Sequence, residues 1–172
     1  MELYVYEGTI ESMMQRSREA ASRVSLSYNI ANCPYSWYSL SLKTYSDECD
    51  FLVNKEIRLT TEERLAFGFV NIDATKTVFA NVAEMKDDAR YCGAFVINRE
   101  EGNNNCYILV DKNYRGIGIS EYLIFTGLER AVNDYKKLKM TDKCRWVCSE
   151  WNSSSKQLAT RLGMVLVDKI LK

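Results

Sequence analysis

Hydrophobic and polar positions change their pattern near residue 75. Before that point the chain is polar, aromatic and rich in Ser and Tyr. After it, apolar runs of strand length alternate with segments of helical period, the pattern of strands separated by helices. Leu3-Tyr4-Val5-Tyr6 predicts a short first strand. Thr9 then stands as an N-cap, with Glu11 and Ser12 in the first turn of a helix that runs to about Ser22 or beyond. The segment from Cys33 to Tyr38 predicts a loop, because Pro34 disfavours helical geometry in the residue before it. Thr60-Thr61-Glu62-Glu63 is a second helix start, followed by a short helix to about Phe69.

Four strands are predicted beyond this point: Thr77–Met85, Arg90–Asn98, Asn105–Val110 and Cys144–Ser149. The turn formers of Glu100–Asn105 join the second and third of these into an antiparallel hairpin. Cys92–Ile97 and Cys106–Val110 are almost continuously apolar, which suits central strands covered on both faces. After Gly118, the residues Leu123, Ile124, Leu128, Ala131, Val132, Tyr135 and Leu138 recur at helical spacing up to a Lys-rich end. A further helix is predicted from near Ser153 to a C-cap glycine at Gly163, and Met164–Val167 is the last clear strand. There is no repeat and no composition break, so the 172 residues are expected to form one α/β domain with a mixed, mostly antiparallel sheet flanked by helices.

Composition narrows the chemistry more than the fold. With 47% hydrophobic and 27% charged residues the chain is an ordinary globular one. No apolar run approaches the roughly 18–20 residues of a membrane helix, and the acidic N-terminus lacks the features of a signal peptide, so a cytoplasmic location is expected. The 23 basic and 23 acidic residues cancel, which argues against a duplex nucleic-acid binder. Six cysteines occur, four of them inside apolar runs, and they read as reduced, mostly buried thiols. Histidine is absent. That removes Ser-His-Asp and Cys-His mechanisms and His-ligated metals, and no metal is expected. Acid–base work then falls to Glu, Asp, Tyr, Cys, Lys or water.

The segment Val110-Asp-Lys-Asn-Tyr-Arg-Gly-Ile-Gly-Ile-Ser120 places a glycine-containing turn between an apolar strand and a helix. Such a turn makes an anion site, because the first helical turn has unpaired N–H groups and partial positive charge. It is neither a Walker A loop nor a dinucleotide fingerprint. It resembles the first motif of the GNAT superfamily of acyl-CoA-dependent N-acyltransferases, Gln/Arg-x-x-Gly-x-Gly/Ala. Arg115, Gly118 and Ser120 occupy that motif, with Val110 five residues before the arginine. The family's next motif is an Asn after the following strand and a Gly-aromatic pair eleven residues later. Asn152 follows Trp146-Val147-Cys148, and Gly163-Met164 falls at that spacing, with methionine in place of the aromatic residue. The resemblance covers roughly residues 76–167.

The resemblance implies a GNAT-type splayed sheet, with residues 1–75 on the acceptor side and 76–172 as the acyl-CoA-binding core. It implies transfer of an acyl group, acetyl above all, from acyl-CoA to a primary amine by direct attack. Ile108, Leu109 and Val110 would hydrogen-bond the pantetheine through their backbone. The amides of Gly116, Ile117, Gly118, Ile119 and Ser120 would hold the pyrophosphate, with Arg115 adding charge and Asn152 touching the pantetheine arm. The tyrosine that many members use to protonate the departing thiolate would stand seven residues after the Asn, where this chain has Ala159. Candidate catalysts are Glu150 at a strand end, against a solvated carboxylate, and Tyr107, against a half-buried packing residue; a buried Cys148 makes a poor nucleophile. Tyr28, Tyr35, Trp37, Tyr38 and Tyr45 fit an acceptor pocket or simple packing, and Asp47, Glu48 and Asp50 a cation site or a solvated run.

Family members often end in a two-stranded hairpin, yet only five residues follow Val167. The final strand is therefore expected to be very short, missing, or supplied by another part of the chain or by a partner, and an open edge favours a homodimer. Two other readings fit the same residues: a non-catalytic module of this fold that binds CoA or a protein, and a nucleic-acid-modifying member.

Overall fold

A computed structural model describes residues 2–27, 40–46, 77–85, 91–115 and 118–171. Within them, strand β1 (Glu2–Thr9) runs into helix α1 (Ile10–Ser27). Strands β2 (Leu40–Ser46), β3 (Thr77–Met85), β4 (Tyr91–Glu100) and β5 (Asn103–Val110) follow. A short 3-10 turn at Lys112–Tyr114 leads to helix α2 (Ile119–Asn133). Strand β6 (Lys143–Ser149), helix α3 (Ser153–Arg161) and strand β7 (Val165–Leu171) complete the described chain. No described helix is long and apolar enough to cross a membrane. The proposed loop at Cys33–Tyr38, the helix after Thr60 and most of the aromatic and acidic acceptor candidates lie outside the described residues.

The strands form one sheet in the order β2-β3-β4-β5-β6-β1-β7. Neighbours are antiparallel except β5 and β6, which are parallel. Phe79, Phe95, Ile97, Cys106 and Trp146 join one core cluster with Ile10, Met13 and Met14 of α1, Leu123, Ile124 and Leu128 of α2, and Leu158 and Leu162 of α3. Ala80, Val82, Ala94, Val96, Tyr107 and Leu109 form a second cluster. Alternation along β3, β4 and β5 sends successive side chains to the two clusters, and β4 is buried from Cys92 to Asn98, as its unbroken apolar run requires. Helix α2 sits close on the sheet at Gly127, where an added Cβ would lie 2.8 Å from the Phe95 ring. Beside it the buried Asn81 donates to the Leu123 carbonyl at 3.1 Å and to Thr126 Oγ1 at 2.9 Å, while its Oδ1 accepts from Thr44 at 3.3 Å. A polar side chain in the core is thereby satisfied on both ends.

Thr9 Oγ1 accepts the Ser12 amide at 3.2 Å, the predicted cap. Other elements differ from their sequence patterns. The β4–β5 hairpin closes on two residues, Glu101 (φ 51°) and Gly102 (φ 80°), because a pair of positive φ values matches the twist of the flanking strands and lets the ladder run to Glu100↔Asn103. Helix α2 stops at Asn133, short of the helical repeat that includes Tyr135 and Leu138. Lys136 adopts φ 54°, and the amides of Tyr135 and Lys137 turn back to the Arg130 and Ala131 carbonyls. Leu138 still reaches the core from the segment beyond the helix. Strand β7 runs to Leu171, four residues further than its apolar pattern suggests.

The C-terminal end of the sheet is completed from within the chain. β1 lies between β6 and β7, pairing Leu3 with Ser149 on one side and with Ile170 on the other. Tyr4 is covered by the ammonium groups of Lys156 and Lys169, 4.7 and 4.8 Å from its ring centre. β7 is the outer strand, and Val165, Leu166, Val167, Ile170 and Leu171 are all exposed on it.

Gly163 and Gly102 allow a paired test of this architecture. Both have a left-handed φ, but a Cβ on Gly163 would lie 2.7 Å from Ser12 Oγ and 3.0 Å from Arg16 Nε, whereas nothing lies within 4 Å of one on Gly102. Gly102→Ala should cost only the backbone strain, about 1 kcal/mol, and Gly163→Ala about 2–3 kcal/mol, read from urea unfolding midpoints.

Candidate active-site cleft between β5 and β6

β5 and β6 pair only over Asn104↔Cys144 to Cys106↔Trp146. Beyond that rung the two parallel strands diverge. β5 stays hydrogen-bonded to β4 as far as Val110, and β6 to β1 as far as Ser149, so each is held on its outer side while the facing edges separate. Between them opens a cleft of about 240 Å³. Its walls are Cys106–Val110 of β5 and Trp146–Ser149 of β6, its mouth is Arg115 with Gly118–Ser120, and α3 closes it with Asn152, Ser154, Ser155, Leu158 and Arg161. The Ser149 hydroxyl is buried there without a hydrogen-bond partner among the described residues. Backbone edges that have left the ladder, and an orphaned hydroxyl, are groups that a polar, extended ligand would satisfy.

The mouth is set by the glycine turn. Gly118 caps α2 with φ 80°, a conformation that suits glycine, and no side chain caps the helix. The amides of the first turn therefore point outward with the positive end of the helix dipole. Arg115 folds back, its Nε and Nη2 donating to the Val110 carbonyl at 3.2 and 3.0 Å, which ties the turn to the end of β5. Across the mouth, Arg161 of α3 donates to Glu121 of α2 at 2.8 and 3.1 Å.

The described members of the sequence-derived binding set, Ile108–Val110, Arg115, Gly118–Ser120 and Asn152, all line this one cleft. Gly116 and Ile117 lie outside the described residues. Asn152 caps α3, its Oδ1 accepting the Ser155 amide at 3.2 Å. Tyr107 lines the cleft but is 5% exposed. Burial first, then the Glu100 and Cys106 charges, push its phenol well above the usual tyrosine range, so it is a hydrogen-bond donor and not a base. Glu150 is exposed, its carboxylate accepts the Glu2 amide at 3.3 Å, and it is not part of the lining. Among the described residues no carboxylate lines the cleft. Cys148 is a cleft residue whose thiol is held above its ordinary value by burial, against a hydrogen bond from Ser155 and the charge of Lys156.

Sequence reasoning passed over Ser155 and Arg161. Ser155 carried a signal, since it stands one turn before Ala159 on the same helix face. Arg161 had none, because its partner Glu121 is 40 residues away.

No protein-family model matches the chain, and no curated protein matches it. Solved structures do. A tandem GNAT protein from the clavulanic acid biosynthesis pathway superposes with a TM-score of 0.62 at 12% identity, over 98% of this chain and 51% of that one. A functionally unknown conserved protein from Staphylococcus epidermidis gives 0.55 at 13%, over 98% and 58%. A GCN5-related N-acetyltransferase from Sphaerobacter thermophilus gives 0.50 at 14%, over 98% and 49%. The chain has the GNAT fold, and it spans about half the length of these structures.

Two properties of the cleft can be checked directly. Asn152→Ala should lower the unfolding free energy by about 1 kcal/mol through loss of the α3 cap, measured by chemical denaturation. Because the thiolate is the reactive form and burial disfavours it, alkylation of Cys148, followed by peptide mass spectrometry, should be slower at neutral pH than that of free cysteine and rise only under alkaline conditions.

Proposed function

We propose that the chain is an acyl-CoA-dependent N-acyltransferase, acetyl-CoA being the favoured donor, that acylates a primary amine by direct attack. The observation that carries this reading is the divergence of β5 and β6 beyond Cys106↔Trp146, with the uncapped α2 N-terminus at the mouth of the gap. An extended pantetheine arm fits between strand edges at Ile108–Val110 as an added strand would, and a pyrophosphate fits the amides of Gly118–Ser120 at the start of α2. Arg115 stabilises that turn through Val110 and adds positive charge at the phosphate end. The likeness to GNAT structures supports the same assignment.

In this reading the cleft works mainly by position. Holding the amine and the thioester carbonyl in contact supplies much of the rate, and the amine's proton passes to water. Tyr107 serves as a donor in the cleft wall, while Glu150 stands outside the lining with its carboxylate accepting the Glu2 amide. The lack of a carboxylate among the described lining residues, with Ala159 on α3, favours a second reading, a CoA-binding module without transfer activity.

Titration calorimetry should detect acetyl-CoA binding, and Arg115→Glu or Gly118→Val should weaken it about tenfold or more, about 1.4 kcal/mol. No binding by the native chain, together with no effect of Arg115→Glu, would sink the proposal. Thiol release from acetyl-CoA with a panel of primary amines separates the enzyme from the binding module.

A further inference from the structure

The mouth of the cleft carries an ion pair that lies outside the sequence-derived binding set. Arg161 of α3 and Glu121 of α2 meet there at 2.8 Å. Ser154, Leu158 and Arg161 recur on one face of α3, so the helix that closes the cleft delivers its last-turn cation to the lining. Glu121 is the third residue of α2, in the turn whose amides open the helix. Nε and Nη2 of Arg161 both donate to a single oxygen, Glu121 Oε1. Nη1 of the guanidinium and the second carboxylate oxygen make no hydrogen bond among the described residues. The Arg161 side chain is 58% exposed, and an exposed pair of this kind contributes little to stability, so it is readily exchanged. Deeper in the same cleft the Ser149 hydroxyl is buried with no partner among the described residues, an independent mark of a polar ligand.

Resting on the acyl-CoA reading above, we propose that Arg161 binds the diphosphate of CoA and that Glu121 holds this arginine in waiting at the mouth. Glu121 opposes the phosphates in two ways. It occupies the guanidinium, and it places a like charge in the first turn of α2. A diphosphate offers the guanidinium several oxygens where Glu121 gives it one, and a bidentate, charge-assisted contact is the stronger. Arg161 therefore leaves Glu121 for a ligand that carries phosphate and stays with it otherwise. The pair makes the mouth discriminate phosphorylated from unphosphorylated pantetheine compounds.

The test is titration calorimetry on the full chain with CoA, 3′-dephospho-CoA and pantetheine, and it needs no acceptor. Arg161→Ala should weaken CoA and 3′-dephospho-CoA alike, by about tenfold, and leave pantetheine within about twofold. Arg161→Lys should recover only part of the loss, because an ammonium cannot make the bidentate contact. Glu121→Gln should strengthen CoA binding by about threefold or more without changing pantetheine. CoA binding should also depend less steeply on salt in Arg161→Ala than in the native chain. If CoA binds the native chain and Arg161→Ala with the same affinity and the same salt dependence, or if Glu121→Gln weakens it, Arg161 has no such role while the CoA site stands. A loss seen with CoA and absent with 3′-dephospho-CoA overturns the assignment to the diphosphate. If the native chain binds neither nucleotide, the acyl-CoA reading falls and this inference with it.

Discussion

Two parallel strands that pair for three rungs and then part are the constraint on which the rest of the molecule depends. Inside a sheet such a parting is costly, because a buried backbone group without a partner forfeits about 1–3 kcal/mol. It persists because each strand is clamped from outside, β5 by β4 and β6 by β1. The clamps also fix the outer edges of the gap. A ligand entering it meets edges whose spacing is set by ladders on either side, so little ordering is required at binding.

The position of β1 follows from the same need. Without it β6 would be an edge strand, free to bend toward β5 and close the gap. Leu3, Val5 and Tyr6 are buried there, and Tyr4 is capped by Lys156 from α3 and Lys169 from β7, so one strand ties β6, α3 and β7 together. The edge passes outward to β7, whose exposed Val165, Leu166 and Val167 leave an apolar strand facing solvent.

Chemistry in the cleft is shaped by what is missing from it. There is no histidine in the chain, no carboxylate among the described lining residues, and an alanine at position 159. What the walls do contain is a series of neutral donors, Tyr107, Trp146, Ser149 and Ser155, of which Trp146 donates to Ser155. In the proposed reading such a site stabilises charge where it develops and leaves proton transfer to water.

The strand and helix starts were legible in the sequence because they rest on local physics: period-two and period-3.6 burial, a Thr9 cap, a glycine before α2 and another after α3. Gly118 and Asn152 stood out in the sequence for the same reason, each lying in a short segment with its own spacing, and the fold brings them to one cleft. Element ends were less so. Tyr135 and Leu138 keep the helical rhythm of α2, yet a left-handed Lys136 ends the helix and Leu138 packs from the following segment. Three things belonged to the tertiary structure alone. The insertion of β1 beside β6 pairs residues about 140 positions apart, which no local pattern encodes. The contact of the Glu150 carboxylate with the Glu2 amide spans 148 positions. And the hydrogen-bonded line from Trp146 to Ser155 exists only because a strand end and a helix start meet at the point where β5 and β6 part.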